Sequence, residues 1–236
     1  MSLLDNNQNK AVSKIKCLCI GDSLALPRDG VLFSETWLYK CQQILSDFIV
    51  FENRSQWAQT TNSLKSTNYL EYYQPEIVVI HLGIVDCAPR KIFESYYIKA
   101  NSLIIKFFLK YILWKIFNKR SKLFSIVKEK QYESNIRNYL ERCKNNNVKK
   151  VILISTCPPA IQFLQKNPSV MAVIEKYNSI LYKLHNEYEF VEYVSPIPND
   201  DKSFYLADGY HVNIIGHNNI FETIYPILKS TINLKL

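Results

Sequence analysis

Residues 14–24, KIKCLCIGDSL, join an apolar run to a Gly-Asp-Ser sequence. The run from 14 to 20 is almost continuously apolar, as expected of a strand that is covered on both faces. Gly21 permits a sharp turn at the end of this strand. Ser23 would then lie just beyond the strand, either as a nucleophile or, with Asp22, as a turn or helix cap. The choice between these roles depends on partners elsewhere in the chain.

Short apolar runs and helical patterns alternate along the rest of the chain. Four more runs, at 48–51, 76–82, 149–155 and 190–194, resemble buried strands. Helical patterns occupy 33–46, 58–73, 91–117, 131–146, 170–187 and 213–229. This alternation predicts an α/β fold, a three-layer α/β/α sandwich around a five-stranded parallel sheet. In such a sheet the site residues are expected at the carboxyl ends of the strands.

Length and composition favour a single domain over residues 1–236. The chain has 236 residues, of which 47% are hydrophobic, and no segment resembles a linker. The amino terminus lacks the pattern of a secretory signal, and the six cysteines show neither a CxxC pair nor zinc-site spacing. We therefore expect a cytoplasmic protein with reduced thiols, and we predict no cofactor and no metal site.

The positive charge is concentrated in one segment. Residues 99–130 contain nine basic residues and one acidic residue, which accounts for the entire net charge of +8. Lysines interrupt the apolar residues too often for a bilayer span. The helical insert at about 98–130 is interpreted either as a helix at a membrane interface, with contact through 101–130 at the inner face, or as a crossover helix extended into a lid or an oligomer contact. Its aromatic residues form apolar clusters, so nucleic acid is not a predicted partner.

The second chemical motif lies in residues 206–220, LADGYHVNIIGHNNI, just before the last predicted helix. Asp208 and His211 are three residues apart, so a compact loop could direct both side chains at one point. His211 could then accept the Ser23 proton while Asp208 orients the imidazole. The alternative is an Asp-Gly turn followed by a histidine at a helix start. His217, inside the predicted helix, is interpreted as a packing or surface residue.

Together these motifs resemble the SGNH/GDSL hydrolase superfamily. GDSL follows the first strand, a glycine block follows the third, and D-x-x-H precedes the final helix. The block GIVDCAPR and the later EKYNSIL further resemble a branch found among bacterial surface-polysaccharide genes. The resemblance implies a flavodoxin-like sheet of order 2-1-3-4-5. It also implies Ser23 as nucleophile, His211 as base and Asp208 as its orienting acid.

The sequence departs from this family where the oxyanion hole is expected. The family's third block reads G-x-N-D and its Asn donates to the oxyanion, but here the block begins at Gly83 and has Val85 in the Asn position. The second block has no glycine, and Ala58 is the nearest match for its backbone donor. Loss of one oxyanion donor costs about 10²–10³ in kcat. The sequence therefore predicts a slow or specialised catalyst unless another group substitutes, for which the candidates are Asn53, His81 and Arg90.

Two residues beyond the third strand have two interpretations each. Arg90 could bind an anionic sugar or phosphate, with Asp86 as a further substrate-binding residue, because a guanidinium suits bidentate recognition of oxygen anions. Alternatively, Asp86 and Arg90 form an i,i+4 pair at a helix start. His81, at the end of the third strand, is interpreted as a core or rim residue.

Three functions follow from these observations. The first is a serine esterase that acts through an acyl-enzyme, with an O-acetylated carbohydrate implied by the resemblance. The second is an acyltransferase that uses the same residues to acylate a sugar hydroxyl. The third is a catalytically degenerate, membrane-associated binding component, which the Val85 substitution motivates. The predicted partner is a small-molecule or saccharide ester.

Overall fold

Five parallel strands form the centre of the computed structural model, which describes residues 13–88, 125–166, 168–198 and 202–233. The strands are β1 (Ile15–Gly21), β2 (Ile49–Asn53), β3 (Ile77–His81), β4 (Lys150–Ile154) and β5 (Val191–Val194), in the order β2-β1-β3-β4-β5. The predicted parallel sheet and its 2-1-3-4-5 order are confirmed. Gly21 pairs with His81 in the register of β1 and β3, so the turn that follows β1 starts beside the end of β3.

Helices cover both faces of this sheet. They are α1 (Trp37–Leu45), α2 (Ser63–Ser66), α3 (Tyr69–Tyr73), α4 (Ile84–Cys87), α5 (Glu129–Asn145), α6 (Ile161–Lys166), α7 (Val170–Glu187) and α8 (Ile214–Asn233). Short 3₁₀ helices lie at Ser23–Ala25, Phe33–Glu35 and Lys202–Phe204. Helices α1 and α8 pack on one face, and α5 and α7 pack on the other. The three-layer α/β/α prediction is therefore confirmed.

Alternate residues of each strand enter the two apolar cores. In β1, Leu18 and Ile20 join one core, whereas Cys17 and Cys19 join the other. Successive side chains of a strand point to opposite faces, which is why an uninterrupted apolar sequence indicates a strand that is buried on both sides. All six cysteines are buried and unbridged, in agreement with the prediction that Cys17 and Cys19 act as small core residues.

The predicted helix over 58–73 is only partly correct. The structure has two short helices there, α2 and α3, and residue 58 has a left-handed backbone. Thr67 separates them with an extended backbone, and its hydroxyl donates to the carbonyl oxygen of Ser63. Threonine and asparagine favour such local hydrogen bonds over helix interiors, and they are frequent in this segment.

The predicted helix over 91–117 and most of the basic insert lie outside the described residues, as does Arg90. The membrane contact through 101–130 remains a prediction. Among the helices that the structure describes, none has the length and apolarity needed to cross a membrane.

Two histidines are buried beneath the carboxyl edge of the sheet, next to Trp37. His81 is 2% exposed and His217 is 1% exposed. The backbone N–H of Trp37 donates to His217 Nδ1 at 3.3 Å, and the Trp37 and His81 rings are 6.2 Å apart. Burial lowers the pKa of His81 to about 4. Burial, together with nearby His81 and Lys40, lowers the pKa of His217 to about 3. Both imidazoles are therefore neutral core groups at neutral pH.

These pKa values predict how stability depends on pH. In the unfolded chain a histidine becomes protonated below about pH 6.5, whereas in the folded chain these two stay neutral down to about pH 4. The unfolded state then binds more protons, so the free energy of unfolding decreases as pH falls from 6.5 to 4. Replacing His217→Asn keeps an acceptor for Trp37 and should reduce this slope by up to about 1.4 kcal/mol per pH unit. Urea denaturation at a series of pH values measures the slope, with His185→Asn as control, and parallel curves for wild type and His217→Asn would contradict the prediction.

Candidate active site

Ser23 is held at the carboxyl end of β1 by a tight turn. The turn is a 3₁₀ helix, and the Asp22 carboxylate caps it by accepting from the Leu24 N–H at 2.9 Å. The Asp22 N–H donates to the carbonyl oxygen of His81 at 3.1 Å, which ties the turn to the end of β3. The cap is therefore Asp22, and the Ser23 hydroxyl is directed elsewhere.

Backbone hydrogen bonds within the loop before α8 fix its conformation. The Leu206 N–H donates to the His211 carbonyl at 2.8 Å, and the Gly209 N–H donates to the Leu206 carbonyl at 2.9 Å. Gly209 has a positive φ of 79°, a conformation that favours glycine. The Ala160 N–H donates to the Gly209 carbonyl at 2.7 Å, so the loop is attached to the segment that follows β4.

The turn after β1 and the loop before α8 bring Ser23, His211 and Asp208 together. Ser23 Oγ lies 3.0 Å from His211 Nε2, across 188 residues of sequence, and His211 Nδ1 lies 2.6 Å from Asp208 Oδ2. Asp208 Oδ1 also accepts from the N–H groups of Tyr210 at 3.1 Å and His211 at 2.9 Å. A carboxylate can only accept, so Nδ1 carries the proton and Nε2 is left as the acceptor for the serine hydroxyl. Such an arrangement can deprotonate Ser23 and stabilise the resulting imidazolium.

The two sites expected to supply the oxyanion hole differ in character. Val85 is buried in the apolar core and carries no polar side-chain atom. Ala58 is exposed and has a φ of 55°, in the left-handed region that favours glycine. This backbone geometry agrees with the family resemblance, which expects a glycine near this position. Gly83 itself leaves no room for a side chain, because a Cβ would lie 2.1 Å from Thr156 Oγ1.

Asp86 was predicted to bind substrate, but in the structure it is a buried residue that binds Thr61. Asp86 is fully buried, and its carboxylate accepts from the Thr61 N–H at 2.9 Å and from the Thr61 hydroxyl at 2.6 Å. The Asn135 side-chain amide donates to the Thr61 hydroxyl oxygen at 3.0 Å. Asp86 therefore holds the loop after β2, which contains Ala58, against α4 and α5.

Asn53 has a local role at the end of β2. Its side-chain oxygen accepts from the Ser55 N–H at 2.9 Å, which forms an Asx turn. Its predicted contribution to substrate binding remains a prediction. Within the described residues, no group of three or more His, Cys, Asp or Glu side chains could hold a metal ion.

Three side chains beside the site were not predicted from the sequence. Arg28 Nη1 lies 4.0 Å from Asp208 Oδ2, and its guanidinium carbon is 5.1 Å from the centre of the Trp57 ring. Arg28 follows Ser23 by five residues, and Trp57 precedes Ala58, so proximity to predicted site residues was the only sequence signal for either. A third residue, Tyr210, places its ring 4.0 Å from that of His211.

The packing at Gly83 yields a prediction about stability. Replacing Gly83→Ala should lower the free energy of unfolding by about 2–4 kcal/mol, because the new methyl group meets Thr156 Oγ1 and the backbone has a positive φ. Thr156→Ala removes that oxygen, so the double variant should lose at least about 1 kcal/mol less than the sum of the single losses. Urea denaturation of all four proteins measures this coupling.

Gly30→Ala provides the control for this cycle. Its φ is also positive, at 89°, but its nearest neighbour is the flexible end of Leu206 at 3.1 Å. Its combination with Thr156→Ala should therefore be additive. Additive losses for Gly83→Ala and Thr156→Ala would show that Thr156 does not restrict this position.

No protein-family model matches the sequence, and no curated protein matches it. Solved structures of the same fold do match. The lipase/acylhydrolase from Enterococcus faecalis superposes with a TM-score of 0.62 at 17% identity, and the match covers 92% of this chain and 96% of that one. The psychrotrophic esterase EstA from Pseudoalteromonas sp. has a TM-score of 0.58 at 17% identity, with 92% and 98% covered.

A third similar structure is an acetyl-xylooligosaccharide esterase from Geobacillus, with a TM-score of 0.55 and 18% identity, covering 90% of this chain and 93% of that one. All three are esterases or acylhydrolases, and each is matched along almost its whole length. Their shared architecture is also the one that the sequence motifs implied. The chain has the fold of the SGNH hydrolase superfamily.

Proposed function

We propose that this protein is an SGNH-type serine esterase in which Ser23 is the nucleophile, His211 the general base and Asp208 the acid that orients it. The observation that carries the proposal is the continuous hydrogen-bond chain from the Ser23 hydroxyl through both imidazole nitrogens to the Asp208 carboxylate. The residues of this hydrogen-bond chain come from opposite ends of the sequence. The Asp208 carboxylate at its end also accepts hydrogen bonds from two backbone N–H groups. A helix cap alone requires none of these contacts.

The reaction follows from the positions of the protons. His211 Nε2 removes the Ser23 proton as Oγ attacks the ester carbonyl, and Asp208 stabilises the imidazolium. The imidazolium then gives this proton to the leaving alcohol as the acyl-enzyme forms. Water, deprotonated by the same nitrogen, attacks the acyl-enzyme, and the proton returns to Ser23 as the acid is released.

The oxyanion is stabilised by fewer side chains than in the family pattern. The first proposed donor to the oxyanion is the N–H of Ser23. Ser23 is the first residue of the 3₁₀ helix, and the first N–H groups of a helix have no partner within it. The Ala58 N–H is proposed as the second, because its left-handed backbone has a conformation that favours glycine, as the family pattern expects near this position. Val85 contributes no third donor, so we expect a low kcat.

The substrate is proposed to be a small ester, most simply the acetyl ester of a carbohydrate. Two observations support this choice: the sequence resemblance to polysaccharide-linked proteins, and the similarity in fold to an acetyl-xylooligosaccharide esterase. Transfer of the acetyl group to a sugar hydroxyl uses the same acyl-enzyme. Product masses with and without added saccharide acceptors distinguish transfer from hydrolysis.

The role of Ser23 predicts covalent labelling by an organophosphonate. EstA, whose fold is similar, has been crystallised in a form inhibited by monoethylphosphonate. A fluorophosphonate should label the wild-type protein once, and Ser23→Ala should abolish both labelling and hydrolysis of 4-nitrophenyl acetate. Intact-protein mass spectrometry measures the label, and absorbance of 4-nitrophenolate measures turnover.

Ser55→Ala is the matched control for this experiment. Ser55 Oγ lies in the same region, 2.9 Å from where a Cβ on Gly21 would be, but it is not hydrogen-bonded to His211. This variant should remain labelled and active. Absence of labelling and turnover in the wild-type protein would instead favour a binding component without catalysis.

The missing oxyanion donor predicts a gain of activity. Replacing Val85→Asn introduces the amide that the family pattern has at this position and should raise kcat about tenfold or more, because one oxyanion donor contributes about 10²–10³. The KM should change less, since the donor acts on the charge that develops in the transition state. Steady-state kinetics with 4-nitrophenyl acetate measures both, with Val85→Thr as a control of similar volume. An equal kcat in both variants would indicate that residue 85 does not face the oxyanion.

A further inference from the structure

Arg28 is the cationic side chain of the described structure that lies beside the proposed catalytic residues. It follows Ser23 in the loop after β1, and this loop packs against the loop of Asp208: a Cβ on Gly30 would lie 3.1 Å from Leu206. The side chain of Arg28 is 17% exposed, and that of Asp208 is 39% exposed. The guanidinium therefore forms part of the site wall, next to the exposed edge of the Asp208–His211 pair.

The hydrogen-bonding capacity of this guanidinium is not used by the described structure. Its Nη1 is buried and has no hydrogen-bond partner in the described residues. Asp208 is its ion-pair partner there, but their separation of 4.0 Å is too long for a hydrogen bond. Asp208 is already engaged, because its oxygens accept from His211 Nδ1 and from two backbone N–H groups. The side chain as a whole is 17% exposed, so a ligand at its exposed edge can supply the acceptor that the described residues do not provide.

Trp57 gives this guanidinium a fixed orientation. The guanidinium carbon lies 5.1 Å from the centre of the indole ring, which is within the range of a cation–π contact. The ring is 59% exposed and therefore also offers apolar contact area to a ligand bound beside Arg28. An arginine that is held by an aromatic ring presents its planar donors in a geometry suited to carboxylate or phosphate.

The position of Arg28 beside Asp208 relates it to the alcohol half of the ester. The leaving alcohol must lie close to His211 Nε2, because this nitrogen donates its proton to it. Arg28 lies beside the carboxylate that binds the other nitrogen of the same ring, which relates it to His211 and hence to the alcohol half of the ester.

We propose that Arg28 binds an anionic group, a carboxylate or a phosphate, on the alcohol half of the ester. The inference rests on the proposed esterase function and adds a substrate class to it: acyl esters of acidic alcohols, such as acetylated acidic sugars. Arg28 is then a specificity-determining residue, and its loss affects anionic esters selectively.

Two esters that differ in this charge and in one methyl group test the inference. 3-Acetoxybenzoate carries a carboxylate on the alcohol half, and its methyl ester does not. The measured quantity is the ratio of kcat/KM for the anionic ester to that for the neutral ester. Arg28→Gln should lower this ratio by about 10- to 100-fold, the factor expected of a hydrogen bond to a charged group. Arg28→Lys should lower it less, because it keeps the charge and loses the planar donors.

Lys149→Gln is the control for the loss of one positive charge. Lys149 precedes β4, at the opposite edge of the sheet, where it pairs with Glu76. This variant should leave the ratio unchanged. An equal loss of kcat/KM for both esters in Arg28→Gln would mean that Arg28 only positions Asp208, and it would overturn the inference.

A binding measurement separates this inference from the esterase proposal. The Ser23→Ala protein should bind 3-hydroxybenzoate, measured by tryptophan fluorescence and calorimetry, at least about tenfold more tightly than methyl 3-hydroxybenzoate. The Ser23→Ala/Arg28→Gln protein should not show this preference. Selective binding that depends on Arg28, combined with a wild-type protein that shows no esterase activity, would support the anion site and refute the enzyme. Equal binding of both compounds by the Ser23→Ala protein would refute the anion site, whether or not the wild-type protein is an esterase.

Discussion

The close packing around Gly21 determines where Ser23 can lie. A Cβ at this position would be 2.9 Å from both Ala25 Cβ and Ser55 Oγ, so the chain can turn sharply here only without a side chain. The Gln56 N–H donates to the Gly21 carbonyl at 3.0 Å, which fixes the turn to the segment after β2. The end of β1 is thus bound on one side to the end of β3 and on the other to the loop that contains Ala58. The position of Ser23 therefore depends on contacts among three adjacent strands, β2, β1 and β3.

A second buried contact holds the loop after β2. The Asp86 carboxylate, the Thr61 hydroxyl and the Asn135 amide form a continuous hydrogen-bonded group that is fully buried. Buried polar groups of this kind specify one arrangement, because any displacement leaves a partner unsatisfied. The loop that contains Ala58 is therefore held in place by this buried group.

The strands and the relation between Ser23, Asp208 and His211 could be predicted because they leave local signals. Uninterrupted apolar runs indicate strands covered on both faces, and the carboxyl ends of parallel strands lie along one edge, so motifs far apart in sequence converge there. The role of Asp86 could not be predicted in this way. Its partner Thr61 is 25 residues away and carries no motif, and only tertiary packing shows that the carboxylate faces inward. Arg28 was missed for the same reason, since its position is defined by Trp57 and Asp208.

The loop from Leu206 to His211 combines two tasks in six residues. Its backbone supplies hydrogen bonds that orient the Asp208 carboxylate, and a hydrogen bond from the Ala160 N–H attaches it to the segment after β4. The contact between His211 and Ser23 therefore requires that the turn after β1, the segment after β4 and the loop before α8 have come together. If the proposed esterase activity is present, turnover during refolding measures only molecules in which these segments have assembled. Circular dichroism also detects chains that have formed helices without the complete sheet.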